Sequence, residues 1–481
     1  MKLINPLLIL RILSTILFLE TVTFLFCLPV AIIYEESPDP FIWSAAISFL
    51  LAAILRFITG DADFDKFSNR DGYLVVTLSW LIFTVLGTLP YLLSGTIARF
   101  IDALFESSSG FTTTGSTIFS DVEILPYSIL FWRSLTHWLG GLGIILLVII
   151  ILPSMKITGY QLFSLESSLK EKIHPKTKSI GYRILFIYLG LTLAQVILLA
   201  IGEMTLFESV CHSFGTIATG GFSTKNTSMV TYSDYSQYIV MIFMFLAGIS
   251  QVVYYYLIKL NYRKVVHNEE LWFYAAAVLI AGVTATSILH VNTSNPLEES
   301  FRNGFFNVIS IITTTGYATV DYLLWPGPAI VLIFLMLFTG ASTGSTTGGI
   351  KMARHLIVIK NIKNAFIKLN HPNALSGIKF NGKLISERIN ISVLSFIVLY
   401  LFIFVTGTLL VVLTGPDVVT SASAVASSLG NIGPGLGSIG PMSNYAHIPY
   451  LTKLILSLLM IVGRVEIMTV FVLFTRTFWK V

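Results

Sequence analysis

Hydrophobic positions along this 481-residue chain come in long runs, separated by short polar stretches. Runs such as LVVTLSWLIFTVLGTLPYLLSG (Leu74–Gly95) and ISVLSFIVLYLFIFVTGTLLVVLTG (Ile391–Gly415) exceed the roughly 20 apolar residues that cross a bilayer. The first run, Leu7–Ile33, has Arg11 and Glu20 as its only charges. It is longer than the apolar core of about 7–15 residues of a cleaved signal peptide, so it reads as a retained span. A second span, Phe41–Phe57, completes an N-terminal pair.

Beyond that pair one pattern appears four times: an apolar span, a shorter semi-polar helix, a Gly/Thr/Ser-rich loop and a second apolar span. The spans are expected near 72–95 and 127–153, 183–203 and 236–259, 271–290 and 328–350, and 389–414 and 448–478. This divides the chain into a helix pair (1–70) and four units at 71–170, 171–265, 266–380 and 381–481. The predicted fold is an all-α polytopic membrane protein of about ten spans, with four pseudo-symmetric helix–pore loop–helix repeats around one pore.

The segments before the loops, ALFESSSG (Ala103–Gly110), SVCHSFG (Ser209–Gly215), FFNVISI (Phe305–Ile311) and SAVASSL (Ser423–Leu429), are too short to cross a bilayer and read as half-helices. Aligning the loops on their glycines pairs FTTTGST (Phe111–Thr117), TIATGGF (Thr216–Phe222), TTTGYAT (Thr313–Thr319) and GNIGPGL (Gly430–Leu436), with Gly115, Gly220, Gly316 and Gly433 in register. Non-helical backbone at membrane depth is tolerated only where protein buries it or where it lines a watery cavity. A cation filter is such a place: main-chain carbonyls replace the ion's hydration shell. Glycine allows the backbone angles this needs, and each half-helix aims its partially negative C-terminus at the ion. The expected coordinating backbone is Thr113, Thr114 and Gly115; Ala218, Thr219 and Gly220; Thr314, Thr315 and Gly316; and Asn431, Ile432 and Gly433. The fourth copy departs most, so full fourfold symmetry is not expected.

Composition agrees with a membrane protein: 54% of residues are hydrophobic and 11% charged, against about 25% charged in soluble domains. Basic residues cluster in Lys170–Arg183, Lys259–Lys264 and Lys351–Lys368, which makes these loops cytoplasmic by the positive-inside rule. They are short and tethered at both ends, which argues against nucleic acid as a partner. Two cysteines, Cys27 and Cys211, form no CxxC and no disulfide framework. GLGSIG (Gly435–Gly440) fits a dinucleotide fingerprint by letter but follows no strand, and no catalytic constellation is visible, so no enzymatic activity is expected.

The chain resembles the Trk/Ktr/HKT superfamily of cation transporters, closest to the TrkH-type bacterial potassium uptake subunit. The resemblance rests on FIDALFESSSGFTTTGST (Phe100–Thr117), FWRSLTHWLGGLGII (Phe131–Ile145), TIATGGFST (Thr216–Thr224), TTTGYAT, NIGPGLG (Asn431–Gly437), TGASTGSTTGGIKMAR (Thr339–Arg354) and GRVEIMTVFVLFTRTFWK (Gly463–Lys480). It implies potassium as the transported ion with no organic cofactor, a homodimer in the lipid of a bacterial inner membrane, and a cytoplasmic nucleotide-binding regulatory subunit of the TrkA type. Glycine at all four filter positions favours potassium, since serine at the first is associated in the family with sodium passage. Two rival readings share the scaffold: a sodium-coupled symporter of the Ktr kind, and the pore subunit of an ATP-driven potassium pump.

Two further features bear on gating. The run TGASTGSTTGG (Thr339–Gly349) interrupts an apolar span, where each glycine costs about 1 kcal/mol of helix stability against alanine. The resemblance makes it an intramembrane gating loop, with Gly340, Gly344, Gly348 and Gly349 as its flexible points. Arg464 lies near the middle of the last apolar run, where a charge costs at least roughly 2.5–3.5 kcal/mol unless it faces a cavity or partner. The resemblance places it in the pore below the filter. Lys453 reads as snorkelling to the outer interface, Trp132 as an interfacial anchor, and Glu106 as either a structural or an ion-attracting carboxylate.

Overall fold

The computed structural model describes residues 4–60, 68–146, 177–373 and 377–480. The expected boundary at 170/171, the end of the 127–153 span and the first half of the basic stretch Lys170–Arg183 lie outside these residues. Helix dominates, and a two-stranded hairpin, Lys379–Phe380 with Lys383–Leu384, is the only sheet among the described residues. Six helices there are long and apolar enough to cross a bilayer: Pro6–Ile33, Asp39–Thr59, Asn69–Leu93, Arg183–Ile201, Glu269–Asn292 and Glu387–Val412. Their outward faces carry large apolar side chains such as Ile33, Phe57, Ile280 and Phe402. Water would not tolerate such a surface over so many helices, whereas lipid does.

Four short helices lie inside this outer layer: Phe100–Phe111, Leu206–Ile217, Leu297–Ile312 and Val418–Gly430. Their last two turns are buried, save for the half-buried Phe214. Their starts are fixed by local chemistry. Thr205 and Glu208 make a reciprocal capping box on the second, and the Asp417 carboxylate accepts the backbone N–H groups of Val419 and Thr420 on the fourth.

The spans that follow the loops differ from expectation. Asp234–Ala247 and Gln251–Ile258 are bent by 92°, and Tyr450–Arg464 and Ile467–Phe474 by 107°. The helix expected over 328–350 ends at Met336. Each break has a backbone cause. In the last, Glu466 adopts φ 74°, which no α-helix accommodates. In the second unit, the groups freed around Gly248 are satisfied from outside the helix: Ser342 N–H donates to Gly248 O (3.1 Å), and Gln251 N–H to Gly344 O (3.3 Å).

Two expectations about single residues are corrected. Trp132 is fully buried against Phe24 and Phe111, with its indole N–H donating to Gly87 O, because this face of its helix is covered by the N-terminal pair. Lys453 does not snorkel: it is 2% exposed, and its Nζ donates to Asp102 Oδ1 (2.7 Å) and Ala446 O (2.9 Å). The pair joins the first and fourth short helices' surroundings, and removing one partner strands a buried charge. Asp102→Ala is expected to destabilise the fold by about 3 kcal/mol, and the double change Asp102→Leu/Lys453→Met by clearly less. Thermal unfolding of the detergent-solubilised protein followed by size exclusion checks the order.

Candidate functional site

Each short helix ends in the same way. In the first, Thr113 N–H donates to Gly110 O and Thr114 N–H reaches back to Ser109 O (2.8 Å); in the second, Thr219 donates to Thr216 O and Gly220 to Gly215 O (2.7 Å). The third repeats this with Thr314 to Ile311 O and Thr315 to Ser310 O, the fourth with Asn431 to Ser428 O and Ile432 to Ser427 O. The long i→i−5 bond belongs to a Schellman-type cap, which needs a left-handed residue one position earlier. That residue is Thr113, Thr219, Thr314 or Asn431, with φ of 53°, 56°, 54° and 55°. A threonine held there costs on the order of 1–2 kcal/mol, and such strain gathers at functional sites.

This shared geometry corrects the expected alignment of the second loop. The glycines that follow the caps, with positive φ, are Gly115, Gly221, Gly316 and Gly433. Gly220 therefore matches Thr114, Thr315 and Ile432, and Ala218 is the helix C-cap rather than a member of the corresponding stretch. The equivalent segment is Thr219–Gly220–Gly221. Two adjacent glycines made the register ambiguous by letter; the Ala-Thr-Gly-Gly alignment to Thr-Thr-Thr-Gly was the signal that resolves it.

The four glycines form a closed ring. A Cβ added at Gly115 would lie 2.2 Å from the carbonyl oxygen of Gly220; at Gly221, 1.9 Å from that of Thr315; at Gly316, 2.0 Å from that of Ile432. At Gly433 it would lie 2.6 Å from that of Thr114, which returns to the first loop. Each loop thus rests its glycine against the carbonyl of the next, and all four glycines line one open cavity. At the rim of that cavity, the Asn226 amide donates to Asp121 Oδ1 (2.8 Å) and holds this exposed carboxyl below its usual value.

The ring is braced from behind. The Glu106 carboxylate, fully buried, accepts from Arg133 Nε (2.8 Å), the Thr117 hydroxyl (3.0 Å) and Ile118 N–H (2.9 Å). Arg133 also donates to Ser223 O and stacks on Phe222, tying the first loop to the second. The Tyr317 hydroxyl donates to Phe222 O (3.0 Å), tying third to second, and the Tyr445 hydroxyl donates to Gly433 O (3.0 Å). Of the two roles left open for Glu106, these contacts fit the structural one.

On the side where the short helices end, the segment 337–351 lies across the ring. Gly348 N–H donates to the Thr314 hydroxyl (2.9 Å), Thr219 and Thr346 hydroxyls meet at 3.3 Å, and Thr346 donates to Ile217 O (3.2 Å). Gly344 and Gly349 take positive φ, and Gly340 and Gly348 pack so closely that a Cβ would lie 2.0 Å from Gly348 O and 2.2 Å from Gly430 O. Arg464, 2% exposed, does not hang free: its guanidinium donates to Thr346 O (2.5 Å) and Gly140 O (2.9 Å). Glu466 pairs with Arg354 (2.7 Å). Cys27 and Cys211 are buried and unbridged, and no group of His, Cys, Asp and Glu among the described residues could hold a metal ion.

A helical chain with this many apolar helices around four short, buried helices belongs to the polytopic membrane proteins. The comparisons make the family specific. The TrkH family profile, described as a cation transport protein, matches residues 40–480. The Trk system potassium uptake protein TrkG of Escherichia coli K12 is 32% identical over 464 residues, covering 94% of both chains. TrkH of Vibrio parahaemolyticus is 32% identical over 490 residues, covering 98% of this chain and 99% of that one. The crystal structure of the potassium transporter TrkH from Vibrio parahaemolyticus superposes with a TM-score of 0.91 at 31% identity, covering 98% and 99%. The chain belongs to the TrkH family; it is a multi-pass membrane transporter and not an enzyme.

The ring register generates its own test. Alanine at Gly220 would meet the His137 imidazole (2.4 Å to Nδ1), whereas alanine at Gly221 would meet backbone. Tracer uptake lost in Gly220→Ala should therefore return when His137→Ala is added, and uptake lost in Gly221→Ala should not.

Proposed function

We propose that this chain takes up potassium across the cell membrane through one asymmetric filter, formed by the carbonyls of Thr113–Gly115, Thr219–Gly221, Thr314–Gly316 and Asn431–Gly433. The observation that carries the reading is the closed ring of four glycines, each flush against the next loop's carbonyl. Carbonyl dipoles held in a ring replace a cation's hydration, and four half-helix C-termini add negative potential at the same point. The relatives' names, Trk system potassium uptake proteins, supply the ion.

In this reading the 339–349 loop, with Gly340, Gly344, Gly348 and Gly349, is the gate. Arg464 is its latch, hydrogen-bonded to Thr346 O and adding positive charge beneath the filter. The basic stretch after Lys351 then faces the cytoplasm of a bacterial inner membrane, the chain works as a homodimer, and a TrkA-type nucleotide-binding subunit pulls on the helix Met352–Asn370. The domain division at 71–170, 171–265, 266–380 and 381–481 follows the four filter segments.

Rubidium-tracer uptake into liposomes holding this chain, competed with potassium and with sodium, tests the filter. Potassium should compete far better; equal competition overturns it. Gly316→Ser, which sets a side chain against Ile432 O, should cost about 1 kcal/mol of that preference, roughly fivefold. An unchanged preference removes the third loop from the filter. Arg464→Ala should raise basal flux by roughly tenfold or more, as the barrier from a buried charge disappears. Unchanged flux in a folded protein removes the latch.

A further inference from the structure

The neck of the intramembrane loop is closed by a side chain that the sequence pattern did not single out. Glu270 sits in the first turn of the span Glu269–Asn292 and is fully buried. Its Oε1 accepts the backbone N–H of Thr343 (2.6 Å) and that of Ala353 (2.9 Å). One amide lies inside the loop, and the other lies in the first turn of the helix Met352–Asn370 that leads away from it. One oxygen therefore joins the middle of the loop to the helix that leads away from it.

The backbone also closes the neck, around the isolated bridge of Thr339 to Ile350. Gly340 N–H donates to Ile350 O (2.9 Å), Ile350 N–H to Phe338 O (3.3 Å) and Met352 N–H to Ala341 O (3.1 Å). Lys351, between them, turns its Nζ to the Thr347 carbonyl and hydroxyl. The loop has no helical ladder, so the Thr343 amide has Glu270 as its acceptor in a buried place, and charge-assisted bonds of this kind are strong.

The carboxylate is also held on a fixed platform. The residue before it, Glu269, pairs with Lys360 of the departing helix, and its N–H donates to Asn381 Oδ1 (2.8 Å) at the hairpin turn. The Asn268 side chain caps the span itself, accepting from Leu271 N–H (3.0 Å). A side chain anchored on a rigid element positions its partners better than one on a loop.

We propose that Glu270 is a positioning residue that staples the intramembrane loop shut, so that the gate opens only when the Thr343 and Ala353 amides leave its oxygen together. This rests on the loop being the gate. Its action is confined to the loop: flux changes with Glu270, and ion preference does not.

The test is rubidium efflux from liposomes holding the full chain, with Glu270→Ala, Glu270→Asp, Glu270→Gln and a loop-shortened variant lacking residues 343–347. Glu270→Ala and Glu270→Asp, the latter too short to reach both amides, should raise basal efflux by about tenfold with the potassium-over-sodium preference of the parent. Glu270→Gln keeps a carbonyl oxygen for both amides and should restore most of the closure. Glu270→Asp carries the test where Glu270→Ala fails to fold. Parental efflux in both, with high efflux from the shortened loop, overturns the staple and leaves the gate standing. Parental efflux in all, the shortened loop included, overturns the gate and the staple with it. Leak from Glu270→Ala and Glu270→Gln with parental efflux from Glu270→Asp assigns the effect to charge and overturns the two-bond staple, as does a changed ion preference.

Discussion

The structure depends on one constraint: backbone polar groups placed at membrane depth must find partners without a continuous helix. Four times the chain enters, stops and returns, and four times the stop is a cap whose long backbone bond requires a left-handed residue, with a positive-φ glycine two positions on. The caps leave the next carbonyls unspent by the helix. Because each glycine has no side chain, those carbonyls approach one another around a common centre instead of being held apart. The ring is thus what remains when helix termination, glycine packing and burial are all satisfied at once.

The broken spans follow from the same requirement. A loop under the ring needs hydrogen-bond partners, and it takes them from the bend at Gly248–Gln251, from Thr314, Thr219 and Ile217 at the base of the ring, and from Arg464 where the last span turns. Arg464 lies beside Gly463, whose missing side chain lets that helix lie against Leu429 O. Each break therefore supplies groups that the loop uses. A straight helix at any of these places would offer only closed i→i−4 bonds. The gate proposed here is for that reason tied to the ring it lies against, since the threonines that end the short helices, Thr314 and Thr219, also hold the loop.

Much of this was legible in the residues, because the four Gly/Thr-rich segments repeat at similar spacing and the half-helices before them are too short to span. The break at 339–349 could be read from its glycines. The bend at Glu466 could not, since only a non-glycine residue with positive φ marks it, and neither could the pairing of Lys453 with Asp102, 351 positions away. The register of the second loop differs by one residue from the expected one because Gly220 and Gly221 are equivalent as letters; the i→i−5 bond from Gly220 and the positive φ of Gly221 distinguish them. Trp132 looked interfacial because tryptophan favours that place, and tertiary packing against Phe24 overrode the preference. Glu270 gave no signal, as an acid in the first turn of a helix is ordinary for the helix dipole alone.

The claim on which the rest stands is that the four caps build one cation site. Diffraction from crystals grown in rubidium, measured at the rubidium absorption edge, locates the ion without any assumption about the protein. Anomalous density on the ring axis, between the carbonyls of Thr114, Gly220, Thr315 and Ile432, is the predicted result. Density absent from the axis, or bound only at side chains of the open cavity, would contradict it.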